Sequence, residues 1–159
     1  MIKKLINMIN STICYIEKDG KYLMLHRTKK EKDINKDKWI GIGGKFENKE
    51  SPEECIIREV KEETGLTLNS YKLRGIVTYV SNEWETEYMY VFTSVDFSGE
   101  LIECNEGDLE WIDKEKIFDL NIWEGDKIFL EKLQKDSKFF TAKFEYDGDK
   151  LLKYSLSEY

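Results

Sequence analysis

The chain has 159 residues, 40% of them hydrophobic and 13% aromatic, and a formal net charge of −7. That length and composition suit a folded domain with a proper core, not a disordered polymer. The acidic balance disfavours non-specific binding to long DNA or RNA, which needs broad basic surfaces, yet leaves room for one nucleotide held by a metal and a few local cations. The opening segment MIKKLINMIN is too short and too polar for a secretory signal or a membrane span, and no later stretch reaches transmembrane length. A cytoplasmic protein with no membrane partner is expected.

Taken in chain order, the first expected elements are strands at 11–17 (STICYIE) and 21–27 (KYLMLHR), flanking the hairpin signal Lys18-Asp19-Gly20. A helix follows over roughly 52–64. Ser51 is a good N-cap, Pro52 fits the first helical position, and Glu54 completes a capping box. Gly65 can end that helix in the left-handed conformation. Ile56 and Val60, four apart, can face a core, with Ile57 beside them. Strands are expected at 72–80 (KLRGIVTYV), 87–95 (EYMYVFTSV) and, shorter, 109–113 (LEWID). Phe129, Leu130 and Leu133 have helical spacing, so a second helix is expected over 123–135. Strands at 138–146 and 150–156 close the chain around Asp147-Gly148. The order predicts one domain over 1–159 of class α+β, a mixed curved sheet between helices.

The chemistry concentrates in the first helix. Glu59, Glu62 and Glu63 stand at i, i+3 and i+4 and so share one helix face. Such like-charged neighbours repel by about 0.2–0.5 kcal/mol per pair even when exposed. A hard divalent cation such as Mg²⁺ turns that repulsion into coordination. Glutamate-rich faces are usually just solvated, so the string EVKEE alone is weak. Arg58, four residues before Glu62, can pair with or orient an acid. Cys14, Cys55 and Cys104 lie far apart without any CxxC spacing, which argues for small buried side chains and against a zinc site or disulfide framework. His26 is the only histidine, which excludes a His-rich metal site and favours a structural or substrate-lining role.

The glutamates do not stand alone. Gly44, Glu50, Arg58, Glu59, Val60, Glu62, Glu63, Gly65 and Leu66 match every fixed position of G-x5-E-x7-R-E-U-x-E-E-x-G-U, where U is bulky and aliphatic. On these residues the chain resembles the Nudix hydrolase family. The lead-in KYLMLHRTKKEKDINKDKWIGIGGKFE is similar to the MutT-type branch, and KWIGIGGKFE to the W-x-G-x-G-G-K segment of 8-oxo-dGTP diphosphatases. GELIECNEGDLEWID, NIWEGDKIF and FFTAKFEYDGDKLL extend the resemblance over nearly the whole chain.

The resemblance implies an α/β/α sandwich. It also implies that Glu59, Glu62 and Glu63, with the Gly43 carbonyl, hold Mg²⁺ or Mn²⁺. Glu106 matches a further acidic ligand or general base, and Glu50 a supporting acid. Arg58 is expected to orient a catalytic glutamate, with Glu59 or Glu62 helping to deprotonate water. Gly41, Gly43 and Gly44 let backbone approach a phosphate chain. Arg27, Lys29, Lys30, Lys38 and Lys45 form a local basic group, of which Arg27 and Lys45 are the best candidates for phosphate contact. Trp123 matches an aromatic that stacks on the purine, and Asp126 an acid that reads the base edge. Trp39 is expected to be a packing residue. Ile40 is a departure, because some relatives read the base with Asn at that point.

Three functions are compatible with this reading. The first is hydrolysis of oxidised purine nucleoside triphosphates such as 8-oxo-dGTP to monophosphate and pyrophosphate, a nucleotide-pool sanitation and DNA-repair role. The second is Nudix hydrolysis of another small substrate, such as ADP-ribose or a dinucleoside polyphosphate. The third is a non-catalytic nucleotide-binding module, against which stands the complete set of box glutamates.

Overall fold

The computed structural model describes residues 7–135 and 137–159; residues 1–6 of the opening segment lie outside it. The strands are β1 (Ile9–Lys18), β2 (Lys21–Arg27), β3 (Trp39–Ile40), β4 (Ile42–Lys45), β5 (Thr67–Ser81), β6 (Glu87–Ser98), β7 (Gly107–Asp113), β8 (Phe140–Asp147) and β9 (Lys150–Glu158). The helices are α1 (Pro52–Thr64) and α2 (Glu124–Gln134), with a 3-10 turn at Ile117–Asp119. Among the described residues, no helix is long and apolar enough to cross a membrane.

The sheet runs β3-β2-β1-β6-β5-β8-β9 and is mixed, because β1 pairs β6 and β5 pairs β8 in parallel. One edge of β1 is shared: Ser11–Cys14 pair with β4, whereas Glu17 and Lys18 pair with β2. The sheet splits there, and β2 carries β3 and β7 on its own arm. Register shifts between β5 and β6 bend the long central pair, as bulges do. Asp19 and Gly20 both have positive φ, 52° and 73°, which suits the two-residue turn between Lys18 and Lys21.

Residues 11–16 of β1 are buried on both faces, so the strand divides its side chains between two cores. Ile13 and Tyr15 join Val77, Val91, Phe140, Phe144 and the α2 residues Phe129, Leu130 and Leu133. Cys14 and Ile16 join Leu23, Leu25, Ile42, Phe92 and the α1 residues Ile56 and Val60. The helices therefore cover opposite faces of the sheet, the α/β/α sandwich expected.

The main differences from the sequence expectation concern the bounds of elements. WIGIGGK forms the short strands β3 and β4, because the backbone of β1 and β2 offers partners that no local pattern reveals. β5 and β6 are longer than expected, since their mutual pairing continues past the apolar stretch. Trp123 is the N-cap of α2 and lies outside its helical turns.

Candidate active site

α1 carries the acids into the molecule at a set angle because both its ends are tied. The Ser51 hydroxyl accepts from the Glu54 N–H, and the Glu54 carboxylate accepts from the Ser51 N–H, both at 3.1 Å. Gly65 takes φ 81° at the other end. A Cβ on Gly65 would meet the Glu100 carbonyl at 2.7 Å, so space as well as conformation calls for glycine.

Arg58 organises the glutamates of this face. Its Nε and Nη2 clasp Glu50 at 2.7 and 2.8 Å. Its Nη1 donates to Glu59 at 2.8 Å and to Glu62 at 3.1 Å, and its Nη2 donates to the Lys45 carbonyl at 3.1 Å. The clasp holds the Glu50 carboxyl down at about 2. Burial pushes Glu59 above its ordinary value, against the pull of Arg58. Glu62 remains exposed, whereas Glu63 is buried at 9% exposure with its Oε2 unpartnered.

Gly44 makes the close approach possible. A Cβ there would fall 2.5 Å from Glu59 Cδ, and one on Gly43 would fall 1.9 Å from the Thr12 carbonyl oxygen. Both glycines are thus required by space: Gly43 against the backbone of β1, Gly44 against the Glu59 carboxylate. Lys45 ends β4 with an exposed side chain, and among the described residues its ammonium makes no ion pair.

Glu106 closes the site from the loop before β7. Arg27 Nη1 donates to its Oε2 at 2.7 Å and Lys30 Nζ to its Oε1 at 2.8 Å. Burial raises Glu63 well above the usual carboxylate range, and the facing Glu106 carboxyl raises it further. Burial also pushes Glu106 upward, but the influence of Lys30, Glu63 and Arg27 outweighs that and holds it below the ordinary value. The two carboxyls therefore titrate as a pair, with Glu63 the one that keeps the proton. Arg27, expected at a phosphate, is instead bonded to Glu106 and to Asp33, the latter at 2.7 Å.

The glutamates Glu59, Glu62 and Glu106 are held by different cations: Glu59 and Glu62 by Arg58, and Glu106 by Arg27 and Lys30, while Glu63 Oε2 is buried without a partner. Among the described residues, no group of three or more His, Cys, Asp or Glu side chains is arranged as a finished metal cage. The donor set nevertheless fits a hard cation: carboxylates on adjoining elements, one with a buried unpartnered oxygen.

A second group of residues lies at the N-terminus of α2. Asp126 is buried, and its Oδ1 accepts from Tyr79 Oη at 2.7 Å. Burial pushes Asp126 up to about 7, although Tyr79 and Lys38 favour the ionised form. Trp123 donates its indole N–H to Asn35 Oδ1 at 2.7 Å. Lys38 Nζ lies 4.5 Å from the Trp123 ring centroid, and Tyr146 meets the ring edge-on. Tyr15 Oη is buried without a partner, and the Asp126 charge raises its pKa further after burial has done so. Gly125 gives its N–H to Tyr146 Oη at 2.7 Å, satisfying one orphan donor of the helix start.

Sequence reading did not single out Asp33, Asn35, Tyr79 or Tyr15. Asp33 and Asn35 belong to the charged stretch TKKEKDINKDK, whose composition suggests only a solvated loop. Tyr79 and Tyr15 read as ordinary strand aromatics. Nothing in their spacing points to α2, which lies far along the chain. Ile40 packs between both cores. His26 stacks on Trp39 at 4.5 Å and bonds Asp37 at 2.9 Å, a structural role. The three cysteines are free and buried.

Comparison with known proteins agrees with this architecture. The family model described as NUDIX domain matches residues 8–133. A Nudix hydrolase of Bacillus subtilis is 30% identical over 151 residues, covering 91% of this chain and 92% of its own. The oxidized purine nucleoside triphosphate hydrolase of Danio rerio is 30% identical over 131 residues, covering 81% and 83%. The crystal structure of a mutator MutT protein from Bacillus halodurans superposes with a TM-score of 0.83 at 28% identity, over 94% of this chain and 97% of that one. Family model, relatives and fold together place the chain in the Nudix family, whose hydrolases cleave pyrophosphate bonds in nucleotides.

Proposed function

We propose that this protein hydrolyses purine nucleoside triphosphates, oxidised forms such as 8-oxo-dGTP among them, to the monophosphate and pyrophosphate. The observation that carries the reading is the pairing of two sites. The chain carries an acid-lined site on α1 and β4 and, at the start of α2, a buried acid and an indole, Asp126 and Trp123. The first suits a phosphate chain and the second a purine. Two relatives that match 81% of this chain are named oxidized purine nucleoside triphosphate hydrolases, which supports the same substrate class.

Glu59, Glu62, Glu63 and Glu106, with the Gly43 carbonyl, would hold Mg²⁺ or Mn²⁺. When bound, such an ion neutralises charge on phosphate oxygens and acidifies water. Glu59 or Glu62 accepts the proton of the attacking water. Arg58 holds both carboxylates in register and does not react itself. Lys45, without an ion pair among the described residues, is placed to meet the phosphates, while Arg27 acts through Glu106. Asp126 bonds to the base edge and Trp123 stacks on the ring.

The test is product formation from 8-oxo-dGTP, dGTP, dATP, ADP-ribose and diadenosine polyphosphates, with Mg²⁺ and with chelator. Metal-dependent kcat/KM is expected to be highest for 8-oxo-dGTP. A preference for another nucleotide would keep the chemistry and overturn the base assignment. Glu59→Gln and Glu62→Gln are each expected to lower kcat by about 10²–10⁴-fold with the fold intact by circular dichroism. Near-normal turnover in both would sink the assignment of α1 as the reacting face.

A further inference from the structure

The phosphate end and the base end of this site are joined by a continuous chain of hydrogen bonds. Arg27 Nη1 donates to Glu106 Oε2 at 2.7 Å, and Arg27 Nε donates to Asp33 Oδ2 at 2.7 Å. The other oxygen of Asp33, Oδ1, accepts the Asn35 backbone N–H at 3.0 Å. Asn35 Oδ1 then accepts the Trp123 indole N–H at 2.7 Å.

Each link is constrained. The Asp33 side chain is only 5% exposed, so it is ordered by its partners and not by water. Its two oxygens serve different partners, which fixes the carboxylate plane. Backbone bonds from Lys36 to the Asp33 carbonyl at 3.0 Å and from Lys38 to the Asn35 carbonyl at 2.8 Å tighten the same turn. The Lys29 N–H donates to the Glu106 carbonyl at 3.3 Å, a second tie between this loop and the acid. An indole can pivot about its side-chain torsions, and a hydrogen bond at Nε1 removes that freedom.

We propose that Asp33 and Asn35 are positioning residues that set the Trp123 platform and the Glu106 carboxylate relative to each other. Base binding and competence at the phosphate end are then coupled through the 28–38 loop. The coupling rests on the reading of Trp123 as the purine-stacking residue, and its physical part can be tested without that reading.

The experiment compares the wild-type chain with Asn35→Ala and Asp33→Asn. It uses two readouts, the Trp123 indole N–H resonance (identified by its loss in Trp123→Phe) and steady-state kinetics on 8-oxo-dGTP. Asn35→Ala removes only the acceptor at the indole. The resonance is expected to move upfield, and KM to rise about five- to tenfold, the worth of roughly one hydrogen bond. Its kcat is expected to stay within about twofold, since the Arg27–Glu106 link persists. Asp33→Asn keeps the shape but places an amide against a cationic donor. It is expected to move the Trp123 resonance and also to lower kcat by about tenfold or more, as loss of a supporting partner does at metal sites. A merely structural role would move neither the single indole signal nor the division between KM and kcat.

If Asp33→Asn leaves the Trp123 resonance and KM unchanged in a folded protein that turns over 8-oxo-dGTP, the coupling is overturned. If the resonance moves in both variants while no triphosphate is hydrolysed even by wild type, the positioning stands and the substrate reading falls.

Discussion

Gly44 illustrates how one missing side chain can carry chemistry. The atoms that a Cβ would strike belong to the Glu59 carboxyl group, the movable end of a side chain. Gly44→Ala is therefore expected to displace the carboxylate and leave the backbone in place. Loss of kcat/KM by about 10²-fold is expected, the usual consequence of an ångström of misplacement, with little change in melting temperature. Asp126 makes a different point, because its burial sets a pH dependence. Its folded-state pKa, about 7, lies above the ordinary 3.8, so the folded protein retains a proton that the unfolded chain releases. The unfolded state binds fewer protons in that interval, and stability falls as pH rises through it. Asp126→Asn cannot ionise but can still accept from Tyr79. Urea melts should show the variant gaining on wild type between about 3.8 and about 7, with a constant difference above. A flat difference across that range would mean that Asp126 is ionised in the folded protein.

Among the elements, α1 was the most legible because its signals are local. Cap, proline, capping box and terminal glycine all act within a turn or two of their own positions. Ser51→Ala removes the acceptor of the Glu54 N–H and is expected to cost about 1 kcal/mol. For a domain of this size that lowers the melting temperature by about 2–4 °C. Turnover should stay close to wild type, since Glu59, Glu62 and Glu63 lie in the C-terminal half of the helix, away from the fraying end. β3 and β4 show the opposite case. WIGIGGK alternates only Ile40 and Ile42 with glycines, which are poor strand formers, and its pairing forms because β1 and β2 diverge and each takes a partner. The longer β5 and β6 likewise owe their ends to each other, across bulges that no single-strand pattern announces.

At the scale of the whole molecule, the acidic site should make stability depend on divalent cations. An ion that binds the folded chain alone stabilises it by mass action, about 2.7 kcal/mol at a hundredfold excess over Kd. Thermal melts with Mg²⁺ against chelator are expected to show a clear rise in wild type. Glu63→Gln should reduce the rise, because the oxygen it alters is the buried and unpartnered one. An equal rise in that variant would remove Glu63 from the ligand set.

The family, the α+β architecture and the acids of α1 were all legible in the sequence. Each depends on residues near one another along the chain, where spacing translates directly into a helix face or a turn. The arrangement of those acids was not. Glu59, Glu62 and Glu63 share a helix face by spacing. Only the fold decides that Arg58 gathers Glu59 and Glu62 while the titration of Glu63 is coupled to Glu106, on a loop far along the chain. Arg27 was legible as a cation near the site, but its partners, Asp33 and Glu106, were set by how β2 and its following loop meet β7. The same holds for Asp33 and Asn35, which by composition are loop residues and by contact join Glu106 to Trp123. Local propensity acts over a few residues; burial, charge pairing and hydrogen bonds between distant segments exist only once the chain has closed on itself.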